Sequence, residues 1–366
     1  MMNPEQLQDK EIDSCIDEYL EKLAELIQLK ISRSQKKIEN LEDLEIFVRD
    51  FMLSRVGPEL TEKLIEYLTG IQRGRGRKRK IKTIIGEISI NKRQADYFEL
   101  EPYQKYSPKM EKNAMLICAN ESYQNAEKDL EELTGIKISH STLHRSVLRQ
   151  DFELPTSKLG VKEVAVDGGK VRLRTSEKGN KSEYKDYKAV SLNGVDYGAF
   201  FQEPINLIDW VNCQKLLSPF YCLGDGHPGI WNIALWFGEL DNRIEILDWY
   251  HLQENIYKVG GSLKRLKQAE KLLWNGKIDE TILLFKTLKK KAAQNFCNYL
   301  EKHRSRIVNY NYYQSESISS VGSGSVESLI KRIGKRVKIS GAQWKNKNVP
   351  KILDLRCAYL NGAFST

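Results

Sequence analysis

Apolar residues in the first 70 positions recur at the three- and four-residue spacing of a helix face. The clearest run consists of Ile16, Leu20, Leu23, Ile27 and Ile31. Pro58 suits the first turn of a further helix, and Gly70 suits its end. The pattern therefore predicts an all-helical segment over residues 5–70.

A second helical block is predicted between residues 110 and 150. The apolar spacing indicates one long helix, a tight turn at Gly135 and a short helix after it. This is the spacing of a helix–turn–helix unit, although a helical hairpin without DNA contacts has the same pattern. The outer face of the short helix is expected to carry His144, Arg145 and Arg149.

From residue 161 onward, the alternation typical of strands replaces the helical spacing. VAVDGGKVRLR predicts a first strand broken at its Gly-Gly pair, and an Asn-Gly pair at 193 and 194 predicts the turn between the next two strands. A helix, a buried strand, another helix and a second buried strand follow, and residues 252–315 are again helical and basic. The order β-β-β-α-β-α-β predicts an α/β fold with one mixed sheet flanked by helices.

The composition is that of a soluble protein, with 40% hydrophobic and 29% charged residues. No apolar run approaches the roughly 18 residues that span a bilayer, and the N-terminus lacks the apolar core of a signal peptide. Six scattered cysteines without a Cys-x-x-Cys pair argue against a disulfide scaffold or a zinc ribbon. We therefore expect a cytosolic protein with reduced thiols and no membrane segment.

The charge is distributed unevenly. Residues 1–70 carry 9 Lys and Arg against 16 Asp and Glu, so the rest of the chain holds the whole basic excess of the formal +9. A basic body suggests nucleic acid as partner, although a merely soluble basic protein has the same balance. The densest tract consists of Arg73, Arg75, Arg77, Lys78, Arg79 and Lys80. We expect this tract to be a DNA-contacting arm or a solvated linker.

Two acids lie at the ends of predicted strands. Asp167 interrupts the first strand, and Asp225 ends the fourth. If these strands pair in parallel, the two carboxylates lie side by side at one end of the sheet, where α/β folds place ligands. Such a pair needs a cation or a shared proton, and oxygen-only ligation favours Mg²⁺ or Mn²⁺. Asp-Gly is also an ordinary turn signal.

Three further side chains are candidates for the same site. Glu327 lies in the first turn of the last predicted helix, where an acid also complements the helix dipole. Asp248 ends a strand, and His251 follows three residues later, so the two can form a hydrogen-bonded pair. That pair has either a structural role or a role beside the carboxylates.

Several motifs together resemble one protein family. They are VAVDGGKVRLR, CLGDGHPGIWNIALWF, ILDWYHLQENI, VGSGSVESLIKRIGKRVKISGAQWK and LDLRCAYLNG. Over about residues 70–366 the chain resembles bacterial insertion-sequence transposases of the Kra group, which are similar to Mutator-type transposases. The stretch ELTGIKISHSTLHRSVLR resembles the DNA-binding region of that family.

The resemblance implies an RNase H-like catalytic domain with an Asp, Asp, Glu triad. By motif, Asp167, Asp225 and Glu327 are the catalytic residues and the ligands of Mg²⁺ or Mn²⁺, with two ions expected. Asp248 and His251 match a [Cys/Asp]-x-x-His signature near the active site. The expected regions are an acidic helical arm (1–70), a basic tract with a helix–turn–helix DNA-binding region (71–154), an RNase H-like domain in two pieces (155–251 and 316–366) and an all-helical insertion (252–315).

The sequence thus predicts a DNA transposase that cuts and joins insertion-sequence ends by two-metal hydrolysis and strand transfer. The expected partners are double-stranded terminal-repeat and target DNA, bound by a homodimer or larger assembly at the nucleoid in the bacterial cytoplasm. Three alternatives stay open at this point. They are a nuclease on the same fold, an inactive or truncated copy repurposed for DNA binding, and a carboxylate hydrolase that does not act on DNA.

Overall fold

The computed structural model of the protein describes residues 9–33, 38–72, 76–175 and 182–365. The chain folds as two compact units, Met1–Lys105 and Tyr106–Thr366. The boundary lies inside the predicted DNA-binding region 71–154, and the four predicted regions stay predictions. None of the described helices is both long and apolar enough to cross a bilayer.

The first unit contains helices and one hairpin. Its elements are α1 (Asp9–Ser32), α2 (Leu41–Phe51), α3 (Gly57–Thr69), β1 (Lys78–Thr83), β2 (Gly86–Asn91) and α4 (Lys92–Tyr97). The predicted helix ends are confirmed for α3, because Pro58 lies in its first turn and Gly70, with φ of 65°, ends it. Helix α1, which is described in full, buries none of its side chains.

Part of the basic tract forms a strand, which the prediction of an arm or a linker did not include. Strands β1 and β2 pair antiparallel, and Ile81 of β1 is fully buried in a core with Ile65 and Ile88. This core explains the strand, because it gives the inward side of β1 an apolar partner. Arg77 and Lys78 are exposed, whereas Arg73 and Arg75 lie outside the described residues.

Two basic side chains of this tract have partners within the first unit. The Arg79 guanidinium donates to the carbonyl oxygens of Glu101 at 2.7 Å and Leu100 at 3.2 Å. The Lys80 ammonium lies 2.7 Å from the Glu87 carboxylate. Since both charges already have local partners, contact of either side chain with DNA stays a prediction.

The second unit begins with three helices, α5 (Pro108–Cys118), α6 (Tyr123–Thr134) and α7 (His140–Arg149). The single long helix predicted here is wrong, because Ser122 begins a new helix by accepting a hydrogen bond from the Asn125 N–H. The predicted turn at Gly135 is confirmed, with φ of 69°. The helices therefore follow the predicted order, except that the predicted long helix is divided into α5 and α6.

The centre of the second unit is a five-stranded mixed sheet. Its strands are β3 (Val161–Leu173), β4 (Glu183–Leu192), β5 (Asp196–Phe201), β6 (Leu216–Gly224) and β7 (Arg243–Leu247), in the order β5-β4-β3-β6-β7. Strand β4 is antiparallel to both neighbours, whereas β3, β6 and β7 run parallel. This confirms the predicted meander followed by two crossovers, in an arrangement compatible with an RNase H-like fold.

The Gly-Gly pair does not break the first strand of this sheet. Strand β3 continues through Gly168 and Gly169, and Gly169 pairs with Tyr187 of β4. A Cβ at Gly169 would lie 2.2 Å from the Tyr187 ring, so the tyrosine fills the space that a side chain would need. The glycines therefore allow close packing within a continuous strand.

Helices flank this sheet and continue through the predicted helical region. They are α8 (Pro204–Asn212), α9 (Pro228–Ala234), α10 (Trp249–Val259), α11 (Leu263–Trp274), α12 (Ile278–Lys286), α13 (Lys291–Lys302), α14 (Tyr310–Ser315), α15 (Gly324–Val337) and α16 (Val349–Leu360). Helix α15 packs on β3 and β4, and α16 packs on β5. The prediction that α15 is the last helix is wrong, since α16 buries the apolar LRCAYL segment.

Two buried arginines join α15 and α16 to the end of α5. The Arg336 Nε donates to the Cys118 carbonyl at 2.6 Å, and Arg356 donates to the Ala119 carbonyl at 3.0 Å. The Arg336 guanidinium also lies over the Trp344 ring, 5.1 Å from its centroid. Positive charge at a helix C-terminus is favourable, because the last carbonyls carry partial negative charge.

Replacing Arg336 with Leu should lower the free energy of unfolding by about 2–3 kcal/mol, because the substitution removes a charged hydrogen-bond donor and leaves the Cys118 carbonyl buried without it. Urea unfolding followed by tryptophan fluorescence measures the effect. Lys335→Leu, on the exposed side of the same helix, is the matched control. Equal losses of stability in Arg336→Leu and Lys335→Leu would contradict a stabilising role for the hydrogen bond from Arg336 to the Cys118 carbonyl.

Candidate active site

Two carboxylates leave adjacent parallel strands at the same level. Strands β3 and β6 pair with Val166 opposite Gly224, so that Asp167, the next residue on β3, and Asp225, the first residue after β6, follow the same pair. Burial raises the pKa of Asp167 above its ordinary value, and the negative charges of Asp225 and Glu327 raise it further. Asp167 and Asp225 are therefore close enough for the charge of Asp225 to act on Asp167.

Each of these carboxylates accepts one hydrogen bond from a backbone N–H within two residues of it along the chain. The Asp167 Oδ1 accepts from the Gly168 N–H at 2.6 Å, and the Asp225 Oδ1 accepts from the His227 N–H at 2.7 Å. Among the described residues, none donates to the other oxygen of either carboxylate. Both acids are half-buried, so these oxygens are available for a cation at the sheet end.

Asp248 is fully buried at the end of β7 and begins α10. Its Oδ1 accepts from the His251 N–H at 2.7 Å, while its Oδ2 accepts from the Ser323 N–H and, at 2.6 Å, from the Ser323 hydroxyl. Burial alone would raise the pKa of Asp248, but hydrogen bonds from His251 and Ser323 outweigh burial and hold the pKa below its ordinary value. Asp248 is therefore an ionised acceptor with both oxygens in use.

The loop before α15 is fixed to the sheet by a second carboxylate and by the backbone. Glu163 on β3 accepts from the Ser320 N–H at 2.7 Å and from the Ser320 hydroxyl at 2.8 Å. The Trp249 N–H donates to the Val321 carbonyl at 3.0 Å. These contacts hold the loop at the strand ends, so Glu327 in the first turn of α15 comes close to His251.

His251 lies between two acids. Its Nδ1 is 3.2 Å from the Asp248 Oδ1 and 3.9 Å from the Glu327 Oε1. The ring N–H is poorly aimed at either oxygen, so these contacts are ion pairs rather than directed hydrogen bonds. The contact with Asp248 is the main reason why the pKa of His251 is raised to about 9, and the charges of Asp225 and Glu327 add to it.

One group of side chains has ligand atoms that all lie within 4.8 Å of one another in the described parts of the chain. It comprises Asp248, His251 and Glu327, and its geometry is suited to a metal ion. However, both Asp248 oxygens already accept hydrogen bonds, and the His251 Nδ1 lies between the Asp248 and Glu327 carboxylates. We interpret this group as an ion-pair network that holds Glu327. The assignment of Asp167, Asp225 and Glu327 as metal ligands stays a prediction.

The predicted DNA-reading face of α7 is partly different in the structure. Arg145 and Arg149 are exposed, as expected for side chains that reach a ligand. His144 is half-buried and does not lie on the outer face, because its ring packs 5.0 Å from Tyr123 and its Nε2 lies 3.4 Å from Asn348. The pKa of His144 is lowered from its ordinary value, mainly because the ring is partly buried.

Sequence reasoning missed several residues near the acids. Glu163 and Ser323 fix the loop, and Tyr299 and His303 of the helical region lie close enough to Asp225 for its charge to affect their pKa values. Tyr299 and His303 are four residues apart, which places them on one helix face. That spacing is the only signal in the sequence, and it does not say what the face contacts.

Comparisons with known proteins include a remote structural likeness. No family model matches the chain, and no curated protein matches it. A solved structure described as "Drosophila P element transposase strand transfer complex" is similar with a TM-score of 0.30 and 12% identity, over 89% of this chain and 85% of that chain. A likeness this remote carries no functional inference, so function has to be inferred from the residues of the site.

Replacing His251 with Gln should remove a pH-dependent part of the stability. The pKa of His251 is about 9 in the folded protein against an ordinary 6.5, so its contribution is complete below pH 6.5 and is lost as the pH rises through about 9. Unfolding midpoints measured with EDTA across this range should show a difference between wild type and variant that shrinks with rising pH. The exposed His140→Gln variant is the control, and a constant difference for His251→Gln would contradict the prediction.

Proposed function

We propose that the protein is a DNA transposase that cuts and joins DNA ends at a site formed by Asp167, Asp225 and Glu327. The observation that carries the proposal is the parallel pairing of β3 with β6, which sets Asp167 beside Asp225 at one end of the sheet. Contacts that hold the loop before α15 support a place for Glu327 in the same site. The motifs around all three acids resemble those of Kra-group transposases.

The chemistry of these side chains fits divalent cations. Burial and neighbouring like charges raise the pKa of Asp167, and one oxygen of each of Asp167 and Asp225 has no donor among the described residues. Oxygen-only ligands suit Mg²⁺ or Mn²⁺, and Asp167, Asp225 and Glu327 would hold them. When bound at these carboxylates, such ions would stabilise the negative charge on the attacking and leaving oxygens of an in-line displacement at phosphorus.

The remaining residues of the site have supporting roles in this proposal. Asp248 fixes the loop and the start of α10, and it keeps His251 protonated beside Glu327. The positive charge of His251 reduces repulsion among the acids and orients the Glu327 carboxylate. With a water molecule as nucleophile the site cleaves DNA, and with a DNA 3′-hydroxyl in the same position it joins DNA.

The proposal assigns DNA contacts to several basic surfaces. Exposed Arg145 and Arg149 on α7 support a helix–turn–helix reader of terminal repeats, and the tract from Arg73 to Lys80 supports phosphate contacts. The helices between residues 252 and 315 are proposed as an insertion into an RNase H-like domain. Because two DNA ends must be brought together, we propose a dimer or larger assembly on DNA.

Asp225→Asn and Glu327→Gln should each reduce cleavage and strand transfer at least about 100-fold, because even the outer partners of metal ligands are usually worth 10–100-fold. The assay uses a labelled fragment of the element's own end with Mg²⁺, Mn²⁺ or EDTA, and DNA binding is measured in parallel. Asp241→Asn, on an exposed turn, is the matched carboxylate-to-amide control and should keep full activity.

The same assay distinguishes the alternatives. Cutting and joining that both substitutions abolish, with DNA binding retained, would support the proposal. Cutting without joining would favour a nuclease on the same fold. Specific DNA binding without cutting in either metal would overturn the enzyme proposal and favour a repurposed DNA-binding protein.

Replacing Arg145 and Arg149 with Ala should weaken DNA binding and its dependence on salt. The logarithm of the DNA-binding constant falls linearly with the logarithm of the salt concentration. This line should become less steep by about 0.9 for every phosphate that the variant no longer neutralises. Binding titrations from low to physiological salt measure this slope. Lys128→Ala on the exposed face of α6 is the control, and equal slopes in all variants would contradict a DNA contact by α7.

A further inference from the structure

A buried hydroxyl of the helical region faces the turn that carries Asp225. Tyr299 lies on α13, and its Oη is buried without a hydrogen-bond partner among the described residues. A Cβ added to Gly226 would lie 2.6 Å from this oxygen, so the tyrosine side chain reaches the backbone directly after Asp225. The lack of a side chain at Gly226 makes this approach possible.

The Tyr299 ring is held by a cluster of packed side chains. His303, one helical turn away, is fully buried, and its ring centroid lies 4.7 Å from that of Tyr299. The Arg306 guanidinium lies 3.5 Å from the His303 Nδ1 and 4.4 Å from the centroid of the Trp231 ring. Arg306 also donates to Glu245 on β7 at 2.6 Å, so the cluster is tied to the sheet. Tyr299 is therefore fixed in orientation.

A fixed, buried hydroxyl without a partner needs an explanation, because nearly all such groups in folded proteins are hydrogen-bonded. Burial raises the pKa of Tyr299, and the charges of Asp225 and Asp248 raise it further, so the hydroxyl keeps its proton. The Tyr299 hydroxyl is therefore a hydrogen-bond donor, and the turn that it faces contains an acceptor oxygen that no described residue uses. The Asp225 Oδ1 is bonded to the His227 N–H, whereas its second oxygen has no donor among the described residues.

We propose that Tyr299 is a positioning residue whose hydroxyl donates to the Asp225 carboxylate when that carboxylate binds a divalent cation. This inference rests on the proposed function. A hydrogen bond from a residue that is not itself a ligand fixes the direction of the ligating oxygen. It also reduces the conformational freedom that the carboxylate loses when it binds the cation. The helical region then supplies one wall of the active site.

The test is a titration of metal-free protein with Mn²⁺, without DNA, on wild type and Tyr299→Phe. We expect 10–100-fold weaker Mn²⁺ binding in the variant, which is the usual cost of losing an outer partner of a metal ligand. The unfolding temperature of the metal-free variant should be unchanged or higher, because the substitution removes a buried polar group without a partner. Tyr257→Phe, whose hydroxyl donates to Glu270 at 2.6 Å on an exposed face, is the control and should bind Mn²⁺ like wild type.

Asp225→Asn, titrated in the same way, separates the two proposals. If Asp225→Asn loses Mn²⁺ binding while Tyr299→Phe keeps wild-type affinity, the role of Tyr299 is overturned and the proposed function stands. If the wild type binds no Mn²⁺ at any concentration that leaves it folded, both proposals fail. A Tyr299→Phe variant that unfolds at a lower temperature in the absence of metal would indicate a structural hydroxyl and overturn the inference.

Discussion

A single buried carboxylate, that of Asp248, connects the parts of the site. Its oxygens accept hydrogen bonds from the first turn of α10 and from Ser323 in the loop before α15, and its own N–H donates to the Gly224 carbonyl at the end of β6. One residue thereby fixes two strand ends, a helix start and a loop. A buried charge is tolerated only with such a set of donors, and removing them would leave it uncompensated.

The electrostatics of the site follow from this arrangement. Four acids gather at one sheet end, and the contact with Asp248 raises the pKa of His251, which favours a positive charge on the imidazole ring beside them. The repulsion that remains is felt at Asp167, where burial and two neighbouring carboxylates all oppose ionisation. A divalent cation would relieve that repulsion directly, which supports the proposed cation site over a purely structural role for these acids.

Much of this arrangement follows from local patterns in the sequence, because strand order and parallel crossovers place Asp167 next to Asp225. Features that depend on tertiary packing do not follow in this way. The Gly-Gly pair looks like a break, but the Tyr187 ring makes it part of a strand. The basic tract looks like a solvated arm, but Ile81 anchors part of it in a core. Tyr299 has no local feature that distinguishes it from 16 other tyrosines.

Helix α15 has a mechanical consequence that goes beyond its packing. Glu327 lies in its first turn and Arg336 near its last, about 14 Å apart at the usual helical rise. Because the Arg336 Nε donates to the Cys118 carbonyl at the end of α5, helix α15 connects α5 to the candidate active site. A shift of α5 relative to the sheet would therefore be transmitted through α15 to the Glu327 carboxylate, so that the packing at one end of this helix affects the position of the acid at the other.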